Sequence, residues 1–140
     1  MKIVNKRASF NYTIIEKIEA GIVLTGGEAR AIRTGHINLA NSYAKIINNE
    51  VYLVNADVPI AGAKNYDSTH MRKLLLKRSE ILNLEVKIKQ KKLTLVPTKV
   101  YTKGRLIKAE LGLAKSKREF EKRETLKKRD IQRDIEKEAR

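Results

Sequence analysis

The sequence predicts a mainly-β fold in which antiparallel strands close into a barrel with helices packed around it. At least six short segments rich in β-branched and aromatic residues follow one another, with turn residues between them. Helical patterns lie between some of these segments, but they do not alternate regularly with strands as in a parallel βαβ fold. We therefore expect an OB-like antiparallel barrel with two to three packed helices over residues 1–112, followed by a C-terminal tail over residues 113–140.

The N-terminal half contains four of the expected strands. Strand-forming residues dominate from Ser9 to Leu24, and Ala20-Gly21 interrupts them, which predicts two strands joined by a turn or bulge. Glycines bracket the next segment and predict a short helix from Glu28 to Thr34. The runs from Ser42 to Ile47 and from Val51 to Asn55 flank a polar turn, a pattern typical of a β-hairpin.

Two helices are expected in the middle of the chain. Asp67 or Ser68 can cap a helix from Thr69 to Arg78. Ser79 can cap a second helix that reaches Lys87 or beyond, because its apolar residues recur at a period of 3.6. We expect the apolar face of this second helix to pack on the barrel.

Two further strands are expected after the helices. The segments from Leu93 to Thr102 and from Leu106 to Leu111 are rich in strand-forming residues and flank Lys103-Gly104. Pro97 predicts a sheet edge or a bulge, because proline cannot donate a ladder hydrogen bond.

The charge of the chain indicates a polyanionic partner. Lys and Arg number 31 against 16 Asp and Glu, a formal net charge of +15 in 140 residues. Such a field attracts nucleic acid and releases its condensed counterions. An acidic protein surface and an anionic membrane are the alternatives, but no apolar run is long enough to span a bilayer. The N-terminus lacks the apolar stretch of a secretory signal and the chain has no Cys, so a reducing cytoplasm is the expected location.

Basic and aromatic residues supply the candidate contacts to nucleic acid. A barrel could gather its scattered cations onto one face, although for any single one of them an ordinary solvated surface is the favoured explanation. The cations are Lys6, Arg7, Arg30, Arg33, Arg72, Lys73, Lys77 and Arg78. Four of the five tyrosines lie in strand-like segments and are expected to pack, so Tyr66 in its polar loop is the candidate for base stacking.

Catalysis has little support in the sequence. His36 and His70 are the only histidines, and neither has a second His or a Cys nearby to complete a metal site or an activated nucleophile. Glu16 and Glu19 lie three apart in a strand-like segment, which places them on opposite faces. We therefore expect no enzyme activity, no metal and no cofactor, and keep an RNA nuclease using these histidines as an alternative.

The tail is too charged to pack firmly on the domain. Eighteen of the residues from Leu113 to Arg140 are charged, and Phe120, Leu126 and Ile131 belong to a thin apolar line. Favourable i,i+4 charge pairs support a helix that tertiary burial cannot hold in place. We expect the tail to be disordered alone and helical when bound; a plain solubility tail is the alternative.

Three stretches together resemble one known protein family. They read NKRASFNYTIIEKIEAGIVLTGGEARAIRTGHINLANSYAKI (Asn5 to Ile46), THMRKLLLKRSEI (Thr69 to Ile81) and LTLVPTKVYTKGRLIKAELGLAKSKREFEKRETLKKRD (Leu93 to Asp130). They keep the order and spacing of the small protein B family, which binds transfer-messenger RNA in bacterial trans-translation. The resemblance covers nearly the whole chain.

The resemblance implies a non-enzymatic adaptor. Its barrel binds the tRNA-like part of transfer-messenger RNA, one protein per RNA, and brings that RNA to a stalled ribosome. It also implies that Asn5, Glu19 and Leu75 matter for RNA binding. Asn5 can hydrogen-bond base edges or the ribose 2′-hydroxyl, and Glu19 can accept from base amino groups or orient a nearby cation. Leu75 suits an apolar contact, and Arg72 and Lys73 beside it can hold phosphates.

The resemblance further implies that the tail occupies the decoding region of small-subunit RNA and the vacant message channel. Phe120 and Glu121 stand where the family has His and Asp, so stacking remains but imidazole hydrogen bonding does not. The expected contacts are Lys115, Lys117, Arg118, Phe120, Glu121, Lys122 and Arg123. The alternative binding protein is a ribosomal or general RNA-binding protein whose tail threads permanently through folded RNA.

Overall fold

The structure is a computed structural model that describes residues 1–117, 129 and 133. This part of the chain contains seven strands and three helices. The strands are β1 (Lys2–Val4), β2 (Tyr12–Ile22), β3 (Tyr43–Ile47), β4 (Glu50–Val54), β5 (Arg72–Leu75), β6 (Thr94–Lys103) and β7 (Leu106–Ser116). The helices are α1 (Lys6–Asn11), α2 (Gly26–Arg33) and α3 (Arg78–Lys91).

The strands form one antiparallel sheet that closes on itself. Its order is β1-β6-β3-β4-β5-β2-β7, and β7 also pairs with β6. Strands β2 to β7 therefore form a ring, and β1 lies beside the C-terminal half of β6. This closed, mainly-β sheet with three helices confirms the predicted OB-like barrel.

Alternate side chains of the strands point inward and fill the barrel with apolar groups. Val51 and Leu53 of β4 point inward and are buried. Ile32 of α2 and Ile81 and Leu84 of α3 join the same core and hold both helices on the barrel. Burying such apolar surface contributes roughly 25 cal/mol per Å². On the outside of the barrel, Ala8 of α1 covers Val96 of β6 and Ala114 of β7 in a second, smaller apolar cluster.

The segment predicted as two strands forms the helix α1 and one continuous strand, β2. Asn5 caps α1, because its side-chain oxygen accepts a hydrogen bond from the Ala8 amide at 3.2 Å. Gly21 stays inside β2, where a Cβ would lie 3.3 Å from the Cβ of Leu75 on β5. The turn or bulge predicted at Ala20-Gly21 was wrong: this glycine permits a close cross-strand contact, and the register shift of β2 lies between Ile14 and Glu16. The sequence pattern also did not predict β1.

A strand replaces the helix that was predicted from Thr69 to Arg78. Asp67 does not cap a helix; its carboxylate accepts hydrogen bonds from the amide and the hydroxyl of Thr69, both at 3.0 Å, and forms a turn. β5 then pairs with β4 on one side and with β2 on the other. The helix propensity of the leucines is overridden, because β5 forms backbone hydrogen bonds with the neighbouring strands on both sides.

Most other elements agree with the prediction. α2 begins at Gly26, where Thr25 and Glu28 form a capping box. The hairpin is confirmed, and α3 is confirmed with Lys77 rather than Ser79 at its N-cap. A register shift between Pro97 and Lys99 confirms the expected bulge.

The barrel continues past the predicted boundary at residue 112. β7 runs to Ser116 and pairs with the start of β2, and Leu113 and Ala114 are buried. Lys115, expected in the tail, therefore lies in β7. The predictions for Arg118, Phe120, Glu121, Lys122 and Arg123 lie outside the described residues.

Candidate nucleic-acid interface

Strands β2, β6 and β7 carry a dense group of charged and aromatic side chains on their outer surface. The register sets Glu110 of β7 opposite Glu19 of β2 and Lys99 of β6, and sets Lys108 opposite Tyr101. Residues two apart on a strand share a face, so close neighbours join this group. We call the surface the lysine–tyrosine face; it consists of Lys17, Glu19, Lys99, Tyr101, Lys103, Lys108 and Glu110.

Glu19 is engaged by two neighbours on this face. The Tyr101 hydroxyl donates a hydrogen bond to one oxygen of its carboxylate, and Lys103 Nζ lies 3.3 Å from the other. The hydrogen bond from Tyr101 is the main cause that lowers the pKa of Glu19; burial opposes it, and Lys103 adds to the lowering. Burial, and then the bond to Glu19, raise the pKa of Tyr101 to about 12. Glu19 therefore stays charged and fixes a tyrosine and a lysine.

Glu110 organises the other end of the face in the same way. Its carboxylate lies 3.6 Å from Lys17 Nζ and 3.4 Å from Lys99 Nζ, and it accepts a hydrogen bond from the Thr98 hydroxyl at 2.8 Å. Burial raises its pKa, but these contacts outweigh burial and leave the pKa lowered. Lys99 Nζ also lies 5.3 Å from the centre of the Tyr101 ring. Four lysines thus surround two glutamates, and the face is net positive.

Leu75 adds an exposed apolar group beside this face. It lies opposite Gly21, two residues along β2 from Glu19, and 53% of its surface is exposed. Lys73 points to the same side of β5 and forms an ion pair with Glu50 at 3.1 Å. The barrel therefore brings Glu19 and Leu75, which lie far apart in the sequence, to neighbouring strands.

Asn5 is placed differently from what the sequence suggested. Its side chain is buried, and its amide nitrogen donates hydrogen bonds to the carbonyl oxygens of Leu39 at 3.2 Å and Pro97 at 2.8 Å. Since its oxygen caps α1, Asn5 fixes the start of that helix rather than facing solvent. Lys6 and Arg7 on α1 are exposed, and Arg7 donates to the Asn41 side chain at 2.8 Å.

Arg72 does not lie on the surface where a phosphate could reach it. Only 2% of it is exposed. Its Nε lies 2.7 Å from the carboxylate of Glu28, and its other nitrogens donate to the carbonyl oxygens of Ala56, Ser68 and His70 at 2.7, 2.9 and 3.1 Å. The expectation of a phosphate contact fails because β5 alternates and residue 72 faces the interior.

Tyr66 belongs to the same buried network and is not free to stack on a base. Its hydroxyl accepts a hydrogen bond from Arg72 at 3.0 Å and donates to the Val58 carbonyl at 2.7 Å. His70 packs edge-on against its ring and lies 2.8 Å from Glu28. This network ties α2 to β5 and to the loop between β4 and β5.

Arg30 and Arg33 lie on the exposed side of α2. Arg33 donates a hydrogen bond to the Arg105 carbonyl at 2.8 Å, which holds the end of α2 against the turn between β6 and β7. His36 follows this helix, with its Nδ1 2.8 Å from the Thr34 hydroxyl. The two histidines therefore lie in different parts of the fold and do not form a pair.

Two parts of the C-terminal region contact α1. Lys117, just after β7, donates from Nζ to the Ser9 carbonyl at 2.9 Å. Arg129 donates to the Ser9 hydroxyl at 3.1 Å and lies 5.9 Å from the centre of the Phe10 ring. Both contacts place basic groups beside Lys6 and Arg7.

The lysine–tyrosine face was largely missed by sequence reasoning. Lys99, Tyr101 and Lys103 alternate along β6, and this period of two was the available signal. It could not show that Glu19 lies beside them, because only barrel closure joins β2 to β6 through β7.

Neither a metal site nor a membrane span is seen in the described part of the chain. Over residues 1–117, 129 and 133, no group of three or more His, Asp or Glu could hold a metal ion. Within the same residues, no helix is long and apolar enough to cross a bilayer.

Comparisons with known proteins agree over nearly the whole length. The family model described as SmpB protein matches residues 2–140. The chain is 45% identical to the SsrA-binding protein of Desulfitobacterium hafniense, covering 97% of this chain and 89% of the relative. It is 47% identical to the SsrA-binding protein of Streptococcus pyogenes serotype M3, covering 97% of this chain and 90% of the relative.

One solved structure has the same fold. It is described as "tmRNA-SmpB: a journey to the center of the bacterial ribosome", and its matching chain superposes with a TM-score of 0.71 at 37% sequence identity. The match covers 89% of this chain and 94% of the other.

Proposed function

Because the chain belongs to the SmpB protein family, we propose that it binds the tRNA-like part of transfer-messenger RNA and carries that RNA to stalled ribosomes. The names of its relatives and of the matching solved structure support this proposal. The protein works in the cytoplasm as a non-enzymatic adaptor, with one copy for each RNA. Its net charge of +15 suits such a partner.

The lysine–tyrosine face is the observation that carries the proposal. It combines lysines that can bind phosphates with an aromatic ring that can stack on a base. Leu75 beside it offers an apolar contact. The cations Lys6, Arg7, Arg30, Arg33 and Lys73 are also exposed and provide further contacts to phosphates.

Glu19 acts mainly by orienting its neighbours. A carboxylate repels phosphate, and both oxygens of Glu19 already hold Tyr101 and Lys103. The RNA therefore meets the tyrosine ring and the lysine, while Glu19 fixes their positions. Asn5 acts indirectly as well, because it holds the helix that carries Lys6 and Arg7.

Paired substitutions distinguish an orienting Glu19 from one that contacts the RNA. Tyr101→Phe keeps the ring and removes only the hydroxyl that donates to Glu19. If Glu19 orients, Tyr101→Phe and Glu19→Ala should each weaken binding of the tRNA-like RNA by about five- to tenfold. Fluorescence anisotropy with this RNA and with a generic duplex measures the effect, and Glu85→Ala on α3 is the control. Wild-type affinity for Tyr101→Phe together with a loss for Glu19→Ala would assign Glu19 a direct contact. Equal losses on the duplex would count against specific recognition.

The tail has a separate role, which is to bind the ribosome. Residues Lys117, Lys122 and Arg123 contact small-subunit RNA phosphates, and Phe120 stacks in the decoding region. Arg118 and Glu121 are further contacts of the tail, and Lys115 at the end of β7 contributes a cation where the tail begins.

Truncation tests this division, provided that the cut spares β7. Removing residues from 113 onward would delete the buried Leu113 and Ala114, so the chain should end at Lys117. The shortened protein should keep its affinity for tRNA-like RNA and lose tagging of stalled nascent chains. A large loss of affinity would instead place the main RNA site in the tail.

A further inference from the structure

A cavity of about 530 Å³ lies between α2 and the loop that follows β4. Gly27 and Ala31 of α2 line one side, and Pro59, Ile60 and Ala61 line the other. A Cβ at Gly27 would lie only 3.2 Å from Ile60 Cδ1, so glycine allows the loop to approach the helix. The size falls within the range of small-ligand pockets, and the walls are mostly apolar.

Polar and cationic groups stand at the rim of this cavity. Arg30 is exposed, and its guanidinium forms no hydrogen bond or ion pair with any residue that the structure describes. The Thr34 hydroxyl lies 2.9 Å from the Ala31 carbonyl and 2.8 Å from Nδ1 of His36, so it can donate to the carbonyl and accept from an Nδ1–H. In that tautomer of the neutral ring, Nε2 of His36 is a hydrogen-bond acceptor. Among the residues that the structure describes, no Asp or Glu lines the cavity.

One hydrogen bond connects α2, which lines the cavity, to the turn beside the lysine–tyrosine face. Arg33 at the end of α2 donates to the Arg105 carbonyl in the turn between β6 and β7. Lys103 lies in the same turn region and pairs with Glu19. The helix that lines the cavity therefore contacts the turn that follows Lys103 of the face.

We propose that this cavity binds one unpaired base of the RNA that occupies the lysine–tyrosine face. An RNA base combines a flat apolar ring with a polar edge and an attached phosphate. Ile60 and Pro59 contact the ring, Arg30 binds the phosphate and His36 accepts a hydrogen bond from the base edge. The proposal rests on the proposed function, because it takes the RNA to be the tRNA-like part of transfer-messenger RNA.

Site-specific crosslinking tests the proposal directly. The chain has no Cys, so Ala61→Cys introduces a single thiol at the mouth of the cavity for a benzophenone label. Lys91→Cys at the end of α3 is the matched control. With the full chain and the tRNA-like RNA, the label at position 61 should crosslink to one unpaired nucleotide well above the control. Crosslinks that are spread over the RNA, or that equal the control, would overturn the proposal.

Affinity measurements separate this proposal from the function on which it rests. Filling the cavity with Ala61→Trp, or removing the cation with Arg30→Ala, should weaken binding about fivefold, and Lys91→Ala should weaken it less. Removing the crosslinked base from the RNA should weaken binding of wild type but not of Ala61→Trp. Wild-type binding with no effect of these changes would reject the cavity alone. Failure of wild type to bind the RNA would reject the proposed function as well.

Discussion

Replacing Arg72 should destabilise the domain strongly without removing a phosphate contact. Its guanidinium makes five hydrogen bonds inside the protein, which equals its number of N–H groups. Arg72→Met removes all of them and leaves the carboxylate of Glu28, whose side chain is 1% exposed, without its cation. Breaking a buried ion pair on one side costs about 3–5 kcal/mol. This is a large part of the roughly 5–15 kcal/mol that stabilises a domain.

Urea unfolding followed by circular dichroism measures this loss. The double variant Arg72→Met with Glu28→Gln should be more stable than Arg72→Met alone by about 1 kcal/mol or more, because no buried charge is left unpaired. If Arg72→Met does not fold, Arg72→Lys provides the comparison, since it keeps the charge but offers at most three donors.

RNA binding supplies the second measurement, with the adjacent Lys73→Ala as the matched variant. Lys73 is exposed, so its removal should leave stability nearly unchanged and reduce the slope of log affinity against log salt by about 0.7–0.9. The slope should not change in folded Arg72 variants. An Arg72→Met protein with wild-type stability and a smaller salt slope would refute the buried role.

Three further predictions concern stability. The pKa of Glu28 is lowered from 4.5 to about 2, because hydrogen bonds from Thr25, Arg72 and His70 outweigh the effect of burial. Its stabilisation is therefore present above about pH 4.5 and is lost as pH falls through about 2, by about 3 kcal/mol in total; urea unfolding at about pH 6 and pH 3 should show the first roughly 2 kcal/mol of this loss in wild type and not in Glu28→Gln. Gly112→Ala should cost about 1–3 kcal/mol in thermal unfolding, because its Cβ would lie 2.9 Å from Ile14 Cγ2, whereas Gly26→Ala meets nothing within 4 Å and serves as the control. Asn5→Ala should cost about 1–2 kcal/mol in urea unfolding through loss of the α1 cap and its buried bonds, and unchanged stability would contradict that role.

The fold class and most of the secondary-structure elements could be predicted from the sequence, because they depend on local patterns. Alternating strand residues, the polar hairpin turn and the apolar period of α3 each appear within a short segment. The excess of positive charge and the family motifs could also be recognised in the sequence. β5 was missed because its leucines favour a helix locally, and only the edges of β4 and β2 make it a strand.

The candidate site was predicted less completely, and for a physical reason. Glu19 and Leu75 were found through the family motifs, but the partners of Glu19 were not. Tyr101 and Lys103 meet Glu19 only because β7 joins β2 to β6 in the closed sheet.

The sequence by itself therefore determined a basic, mainly-β domain with a charged tail, together with its family. The tertiary structure decided which polar residues face solvent. Arg72 and Lys73 are adjacent cations in the sequence, yet one lies in the interior with Glu28 and the other on the surface. Successive side chains of a strand point to opposite faces, and barrel closure alone determines which face is buried.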